Sequence, residues 1–370
     1  MLLKKNLQNY FKNIGYFLFK ILYGKIKYLI NDDYKQDVII TKVKKQDKFL
    51  YNVFKIKNGR LYTDRVNDTA IIKNNQIIGG PSFQFRTIDN NIINANVKDN
   101  LVLKNGTPRF KKKLDGKVLS LLTGGGGNEN YWHWMFDVLP RLSLCESVIK
   151  LDLINFFLLP DNKKRFQIET LDILGIPKKK QITSIRFRHI SSQDLYVTSH
   201  PVVLSNNATK DIKNIPDWIL SWLKEKFIKN NPKPKKNYSK RIYLDRSDST
   251  SNVKNLRSII NEHEVKNYLA KKGFQSIKLT DLHFEDQVHT FYNADTIIGL
   301  HGAGFANVTF CKPNTKIVEI KANPLDDVIK SLAIKNNLNH CSISCKIDEI
   351  DKNDQFGHIN VSLQDLDGVL

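Results

Sequence analysis

The sequence predicts a two-domain α/β protein that begins with a basic amphipathic helix. Its 370 residues exceed the usual size of a single domain. From about residue 117 onward, apolar runs typical of buried strands alternate with segments of helical periodicity, which indicates mainly parallel sheets covered by helices. A stretch rich in Lys, Pro and Asn, residues 229–240, interrupts this alternation as a linker would. We therefore expect one domain over residues 40–228, a second over 241–345 and a tail over 346–370.

Residues 1–30 have the pattern of an amphipathic helix. Leu7, Phe11, Ile14, Leu18 and Ile21 recur at helical spacing, and the segment holds six lysines and no acidic residue. The lysines interrupt the run of about 20 apolar residues that a membrane-spanning helix needs. We expect this helix to lie on an anionic membrane surface. The alternatives are a helix packed on the protein's own core and a short signal anchor in a secretory compartment.

The chain is strongly basic, with 58 Lys and Arg against 37 Asp and Glu and a net charge of +21. Such a charge favours an anionic partner, although much of it could be ordinary solvated surface. The lysines crowd the N-terminus and the linker instead of alternating with aromatic residues, so we expect no nucleic-acid partner. Four cysteines without a C-x-x-C pair favour a reducing compartment. We therefore expect a cytoplasmic protein, peripheral at the membrane surface, with the secretory-pathway lumen as the alternative.

The first domain begins with a strand-rich portion. Residues 50–105 contain short apolar runs separated by polar turns, for example TAIIKNNQIIGG, where Asn74-Asn75 lies between two pairs of Ile. Strands are then expected at 117–123, 154–160 and 194–199, and helices at 131–149 and 165–176. The amphipathic segment 216–228 completes this domain.

Three polar residues are spaced so that they share one face of the helix predicted at 131–149. His133, Asp137 and Arg141 lie four residues apart, after a run of four glycines at 124–127. A carboxylate can hold a neighbouring imidazole in one tautomer and favour its protonated form, as a catalytic base requires. The same spacing suits a salt-bridge ladder beside a core of aromatic residues, and Pro140 is expected to shorten the helix.

The second domain contains a glycine-rich turn in GLHGAGFAN, residues 299–307. His301, Gly302 and Gly304 follow a predicted strand at 295–299 and precede a probable helix. Glycine lets a backbone approach a ligand closely, and a helix N-terminus favours phosphate, so the turn suits a diphosphate. A tight turn without a ligand is the alternative.

Other polar residues follow or end the predicted strands of this domain, at 241–245, 275–279 and 316–320. Arg246 and Arg257 follow the first of them, and Arg is well suited to bidentate phosphate contacts. Glu319 ends the third and could accept hydrogen bonds from ribose hydroxyls or cap the next helix. Ligands of open α/β sheets bind at the carboxyl ends of strands, so two such domains would form a ligand cleft.

Taken together, these segments resemble glycosyltransferase family 61. The resemblance rests on NENYWHWMFDVLPRL, YLDRSDSTSNVKNLRSIINEHEV, GFQSIKL, FEDQVHTFYNADTIIGLHGAGFANVTF and NTKIVEI, in this order and spacing, over roughly residues 117–320. It implies a GT-B-like fold, with two Rossmann-like domains that face a cleft. It also implies an inverting sugar transfer from a nucleotide-sugar donor, without an essential metal or other cofactor.

The resemblance also assigns the site residues. His133 and Asp137 would be catalytic, and Arg141 would lie on the acceptor side. The positions that match donor-binding motifs are Arg246, Arg257, Asn261, Glu262, Gln287, His301, Gly302, Ala303, Gly304, Asn307 and Glu319.

The expected reaction moves a hexose or pentose from a UDP-sugar to a hydroxyl of a glycan or lipid-linked acceptor, in the synthesis of capsule or another surface polysaccharide or glycoconjugate. A basic nucleic-acid-binding protein and a catalytically inactive family member that serves as a scaffold are the alternatives.

Overall fold

The computed structural model describes residues 2–28, 37–228, 238–247, 257–322, 327–347 and 358–370, with side chains from Leu7 onward. The chain divides into two compact units, one of residues 1–167 with 175–212, the other of residues 168–174 with 213–370. Both units are mixed α/β, as the sequence predicts. Residues 229–237 of the predicted linker lie outside the described residues.

The first unit is built on an eleven-stranded sheet in the order β10-β9-β8-β11-β3-β4-β6-β7, with β2 beside β11, β1 beside β2 and β5 beside β4. The strands β8 to β11 run parallel to one another, and the other pairs are antiparallel. The strands are β1 (Val38–Gln46), β2 (Phe49–Lys57), β3 (Arg60–Thr63), β4 (Asp68–Lys73), β5 (Gln76–Ile77), β6 (Phe83–Ile88), β7 (Asn91–Asn94), β8 (Lys112–Ser120), β9 (Phe156–Leu159), β10 (Gln181–Thr183) and β11 (His189–Thr198).

The strand-rich portion predicted at residues 50–105 is present, and the tight turn between β4 and β5 shows why. Asn74 and Asn75 join β4 to β5 with φ of 50° and 59°. Asn tolerates this left-handed conformation better than most residues, and two such residues in succession match the twist of a hairpin.

The helices of the first unit are mostly short. They are α1 (Leu2–Tyr23), α2 (Val102–Asn105), α3 (Gly126–Glu129), α4 (Tyr131–His133), α5 (Pro140–Glu146), α6 (Arg165–Ile173), through which the boundary between the units passes, and α7 (Ala208–Asp211), with 3-10 turns at Val97–Asp99, Leu151–Leu153 and Lys178–Lys180.

The single helix predicted at 131–149 is divided. A π-helical turn, Trp134–Val138, separates α4 from α5, and the N–H of Leu139 bonds to the carbonyl of Trp134, five residues earlier. Pro140 begins α5, because a proline has no N–H to donate and its ring clashes with the preceding turn of an α-helix. The wider π turn accommodates that ring, and such turns recur at functional sites.

Helix α1 packs against the rest of the first unit through one side only. Phe19 packs edge-on against Phe110 with ring centroids 5.2 Å apart, and Tyr23 packs against His189 at 4.9 Å. The opposite side is apolar and open, since the side chains of Leu7, Tyr10, Phe11, Phe17, Leu18, Ile21 and Leu22 are 57–69% exposed. No helix in the described part of the chain combines the length and the hydrophobicity that crossing a bilayer requires.

The second unit has a five-stranded parallel sheet in the order β14-β12-β15-β16-β17 and a small parallel pair, β13 with β18. The strands are β12 (Arg241–Asp245), β13 (Ser258–Ile259), β14 (Gln275–Lys278), β15 (Thr296–Leu300), β16 (Lys316–Ala322), β17 (Asn339–Cys345) and β18 (His358–Ile359). The helices are α8 (Asp217–Phe227), α9 (Glu262–Lys271), α10 (Phe284–Asn293), α11 (Val328–Lys335) and α12 (Leu363–Val369), with 3-10 turns at Leu279–Asp281 and Ala303–Phe310.

The second unit takes in segments that the sequence analysis placed elsewhere. Helix α8 belongs to it, whereas the sequence prediction ended the first domain at residue 228. The short segment 168–174 also belongs to it, and Glu169 accepts hydrogen bonds from His283 Nδ1 and from the N–H of Phe284, both at 2.6 Å.

The residues predicted as a tail also contribute to the core of this unit. Ile359, Val361 and Leu366 are buried in one cluster with Val318 and Ile320 of β16. Asn261 fixes the same segment, because its amide donates to the carbonyl of Val361 and its carbonyl oxygen accepts from the N–H of Val361. The described part of the tail is therefore integral to the second unit.

Replacing Leu366 with Ala should lower the free energy of unfolding of the second unit by about 2–5 kcal/mol, because a fully buried leucine leaves a cavity when it is truncated. Denaturant unfolding measures this change, and Gln364→Ala, at an exposed position of the same helix, is the matched control. Equal stability of the two variants would contradict the packing of α12.

Candidate active site

The first group of candidate residues lies where α4 begins. Asn130 caps this helix, since its side chain accepts from the N–H groups of Trp132 and His133. The cap fixes the backbone of His133, whose Nδ1 lies 2.6 Å from Asp137 Oδ2. The His133 side chain is 31% exposed and that of Asp137 is 10% exposed. The two side chains, four residues apart in the sequence, are therefore directly hydrogen-bonded.

This hydrogen bond determines which ring nitrogen of His133 is available. When Nδ1–H donates to a carboxylate, the neutral ring carries its lone pair on Nε2. Within the described residues, no side chain hydrogen-bonds to that nitrogen of His133. A half-exposed imidazole with a buried carboxylate behind it is the arrangement of a general base and its orienting group.

The ionisation of the pair follows from the same contact. Burial lowers the pKa of His133, but the hydrogen bond and the charge of Asp137 outweigh it and raise this pKa above its ordinary value of 6.5. Burial raises the pKa of Asp137, but the hydrogen bond from His133 and the charges of His133 and Arg141 bring it below 3.8. Asp137 is therefore a carboxylate at neutral pH.

The glycine run makes room for the histidine ring. A Cβ on Gly126 would lie 2.6 Å from Cδ2 of His133, closer than side-chain carbons approach other atoms. Gly124 has φ of +104°, in the region that other residues rarely adopt. The run is thus a packed turn that lets the backbone approach the imidazole.

Arg141 lies in the interior, with only 2% of its surface exposed. Its Nε donates to the carbonyl of Asp137 at 3.0 Å, and its terminal nitrogens donate to Thr198 and Thr123 at 3.2–3.4 Å. Burial lowers its pKa to about 10, although the charge of Asp137 acts in the opposite direction, so it remains a cation at neutral pH. Arg141 thus links the backbone of Asp137 to Thr123, which follows β8, and to Thr198, which ends β11. The sequence prediction placed this residue on the acceptor side.

His200 is a further member of this group that the sequence analysis did not find. Its Nδ1 accepts from the N–H groups of Val202 and Val203, so the proton resides on Nε2, which donates to Thr123 Oγ1 at 2.6 Å. Burial lowers the pKa of His200 to about 3, and the ring is neutral. His200 lies two residues after the end of β11. Ligand-binding residues of parallel sheets often follow the carboxyl ends of strands, and this position could have identified it as a candidate.

The second group of candidate residues surrounds the turn after β15. The carbonyl of His301 accepts hydrogen bonds from Arg246 Nη1 and, at 3.4 Å, from Arg257 Nη1. A Cβ on Gly302 would lie 2.8 Å from Arg246 Cζ, so glycine is needed for the guanidinium to rest on the turn. The turn continues into the 3-10 helix Ala303–Phe310, whose first N–H groups have no acceptor within the helix. Two cations and a helix N-terminus thus meet at one turn.

Glu319 is fully buried beneath this turn and binds two histidines. Its Oε1 accepts from His301 Nδ1 at 2.5 Å and its Oε2 from His340 Nε2 at 2.9 Å. Burial raises the pKa of Glu319, but these hydrogen bonds and the neighbouring positive charges bring it down to about 2. The carboxylate therefore orients histidines, whereas the sequence prediction had it accept from ribose hydroxyls or cap a helix. His340, on the neighbouring strand β17, was not predicted.

Four other predicted donor residues hold the framework of the second unit. Asn307 is fully buried and donates to Gln287, which donates in turn to the carbonyls of Leu279 and Leu282, so this pair fastens the 3-10 helix. Asn261 holds the C-terminal segment, and Glu262 accepts from Tyr243 at 3.1 Å. These contacts are all made within the second unit.

Carboxylates and histidines of the described residues form no group of three or more suited to hold a metal ion. The sequence Asp365-Leu366-Asp367, the only D-x-D in the chain, lies on α12. There Asp367 accepts from Lys272 at 2.6 Å and from Tyr268 at 2.5 Å.

A protein family matches the part of the chain that contains most of these residues. The Glycosyltransferase 61 model matches residues 131–318, just over half of the chain. The chain belongs to glycosyltransferase family 61. The match begins at the first residue of α4 and ends in β16, so it includes His133 and Asp137, the two arginines and the glycine turn, and it stops just before Glu319. A search of curated proteins found no match. The family makes this chain a glycosyltransferase, as the sequence resemblance predicted.

Replacing Asp137 with Asn should lower the pKa of His133, because the amide removes the negative charge that raises it. NMR titration of the His133 ring protons measures this change. Glu129→Gln, which removes a carboxylate that is 61% exposed and only four residues away, is the control. The same His133 pKa in wild type and Asp137→Asn would contradict the geometry described above.

The pair also makes the stability of the first unit depend on pH. The raised pKa of His133 contributes stability that is fully present below 6.5 and is lost as the pH rises through the folded value. The lowered pKa of Asp137 contributes stability that is present above 3.8 and is lost as the pH falls through the folded value. Stabilisation by the pair is therefore greatest between these two values and is reduced in Asp137→Asn.

Proposed function

We propose that this chain is an inverting, metal-independent glycosyltransferase. It transfers a hexose or pentose from a UDP-sugar to a hydroxyl of a glycan or lipid-linked acceptor, in the synthesis of a surface polysaccharide such as capsule or of a glycoconjugate. The observation that carries the proposal is the hydrogen bond of His133 Nδ1 to Asp137, which leaves Nε2 as a base on a half-exposed ring.

In this proposal the first unit activates the acceptor. His133 Nε2 takes the proton of the acceptor hydroxyl as its oxygen attacks the anomeric carbon. The bond from that carbon to the donor's phosphate oxygen breaks on the opposite face, and its electron pair goes to the diphosphate, so the configuration inverts. Asp137 stabilises the imidazolium that forms, as the raised pKa of His133 indicates.

The second unit would bind the donor and stabilise the departing nucleoside diphosphate. Arg246 and Arg257 both reach the turn at His301, and their charges favour a diphosphate there. The N–H groups at the start of the 3-10 helix, from Gly302 to Gly304, would add further donors. These groups would supply the positive charge that a divalent cation supplies in other transferases. We also propose that the two units are the two domains of a GT-B fold.

Helix α1 would bring the enzyme to its acceptor by lying on the cytoplasmic face of a membrane. Helix α1 keeps an apolar side open while Phe19 and Tyr23 attach its other side to the protein. Lys12, Lys20 and Lys25 add a positive charge that favours anionic lipid.

Replacing His133 with Ala should lower kcat for sugar transfer about 10²- to 10⁴-fold, because the base is lost, while UDP binding persists. The assay follows transfer from UDP-sugars to glycan or lipid-linked acceptors in the presence of EDTA. Arg246→Ala should weaken UDP binding instead, and His263→Ala, at an exposed surface histidine, is the control. Unchanged turnover by His133→Ala would remove it from the mechanism, and a strict requirement for a divalent metal would remove metal independence.

Replacing Leu18 with Glu should weaken binding to vesicles of phosphatidylcholine and phosphatidylserine about tenfold or more, since it places a carboxylate on the open apolar side of α1. Co-sedimentation measures the bound fraction. Asn13→Glu makes a comparable change of charge off the apolar stripe and is the matched control. Equal loss in both variants would show that charge alone, and not the apolar side, governs binding.

A further inference from the structure

Glu319 has an unusual position for a carboxylate. It lies on β16, between Gly299 of β15 and Ser342 of β17, and none of its surface is exposed. Side chains two residues apart on a strand share a face of the sheet, so Glu319 and Ile317 face the same side. His340 pairs with Ile317 in the β16–β17 register, which brings its imidazole to the same carboxylate.

The two histidines bind Glu319 through different ring nitrogens. His301 uses Nδ1 and His340 uses Nε2, so each oxygen of the carboxylate accepts one N–H. This arrangement leaves Nε2 of His301 as its second polar atom, and within the described residues no side chain hydrogen-bonds to that atom. His340 is nearly buried, with a side chain that is 6% exposed, whereas His301 is 16% exposed. Of the two rings, His301 is the one a ligand can reach.

The three groups act as a unit, because a carboxylate with two hydrogen-bond donors has little freedom to rotate. Without His340, Oε2 of Glu319 would be a buried anionic oxygen without its donor, and the carboxylate could turn away from His301. The ring of His301 would then lose the contact that fixes its orientation. The carbonyl of His301 accepts hydrogen bonds from Arg246 and Arg257, so a displacement of His301 would disturb the turn as well.

We propose that His340 is a positioning residue for donor binding: through Glu319 it holds the ring of His301, with a proton on each ring nitrogen, so that Nε2–H donates to the diphosphate of the donor. This inference rests on the proposed function, and it adds a residue that lies beyond the matched family region. His340 itself has no contact with the donor, and its effect passes entirely through Glu319 and His301.

The test compares two substitutions of His340 whose side chains differ in length. His340→Asn places an amide near the position of Nδ1 and is too short to reach Glu319, whereas His340→Gln carries an N–H donor to about the position of Nε2. Binding of UDP to the full chain is measured by isothermal titration calorimetry for wild type, both variants, His301→Ala and the double variant His301→Ala/His340→Asn. Thermal unfolding of each variant reports its folding, and His263→Ala is the surface histidine control.

His301→Ala is expected to weaken UDP binding about tenfold or more, because it removes a hydrogen bond to a charged phosphate. His340→Asn is expected to weaken it about three- to tenfold, and His340→Gln to remain within about twofold of wild type. In the His301→Ala background, His340→Asn should have no further effect, because its route to the donor has already been removed.

Additive losses in the double variant would overturn the proposal, since His340 would then act without His301. Wild-type UDP affinity in a folded His340→Asn variant would overturn it as well. If wild type binds UDP and His301→Ala weakens that binding, the donor site stands whatever the result for His340. Absence of UDP binding by wild type would overturn the proposed donor and this inference together.

Discussion

The negative charge on Glu319 is buried without any exposed surface, and much of the arrangement around the glycine turn compensates for it. An unpaired carboxylate in the interior costs several kcal/mol, so both of its oxygens need donors. His301, in the turn after β15, and His340, on β17, supply them. In the first unit Asp137, which is 10% exposed, is likewise compensated: its carboxylate accepts from His133, and its backbone carbonyl accepts from Arg141. In each unit a partly exposed imidazole faces outward because a buried carboxylate holds its other nitrogen.

Local spacing predicted some of these contacts and could not predict others. His133 and Asp137 are four residues apart, so any helical turn brings them together, and the widened π turn preserves the contact. The burial of Arg141 depends on Thr123 and Thr198, which reach it only because β8 and β11 are neighbours. The contact between His340 and Glu319 likewise depends on strand order and register, which a single sequence does not specify. Contacts within one turn were therefore predictable, and contacts across strands were not.

The α/β class and the change from short antiparallel strands to a parallel sheet followed from hydrophobic periodicity. Helix 131–149 was predicted as one element because its apolar pattern is continuous, but Pro140 divides it. The helix after the glycine turn was also predicted, yet it is a 3-10 helix over eight residues, Ala303–Phe310. Its type is set by side chains inside the unit, with Asn307 bound to Gln287 and Phe305 fully packed, which periodicity does not reveal. The family match shows that the family could be recognised from these segments even where their local geometry could not be predicted.

The way the chain alternates between its two units limits how it can be dissected. Residues 168–174 belong to the second unit, although residues on both sides of them belong to the first. A fragment that begins at residue 213 would lack Glu169 and so leave His283 Nδ1 and the N–H of Phe284 without that acceptor at the start of α10. A fragment that ends at residue 212 would carry Glu169 without its donors. Cutting the polypeptide once therefore yields no faithful copy of either unit, and studies of either unit need the intact chain.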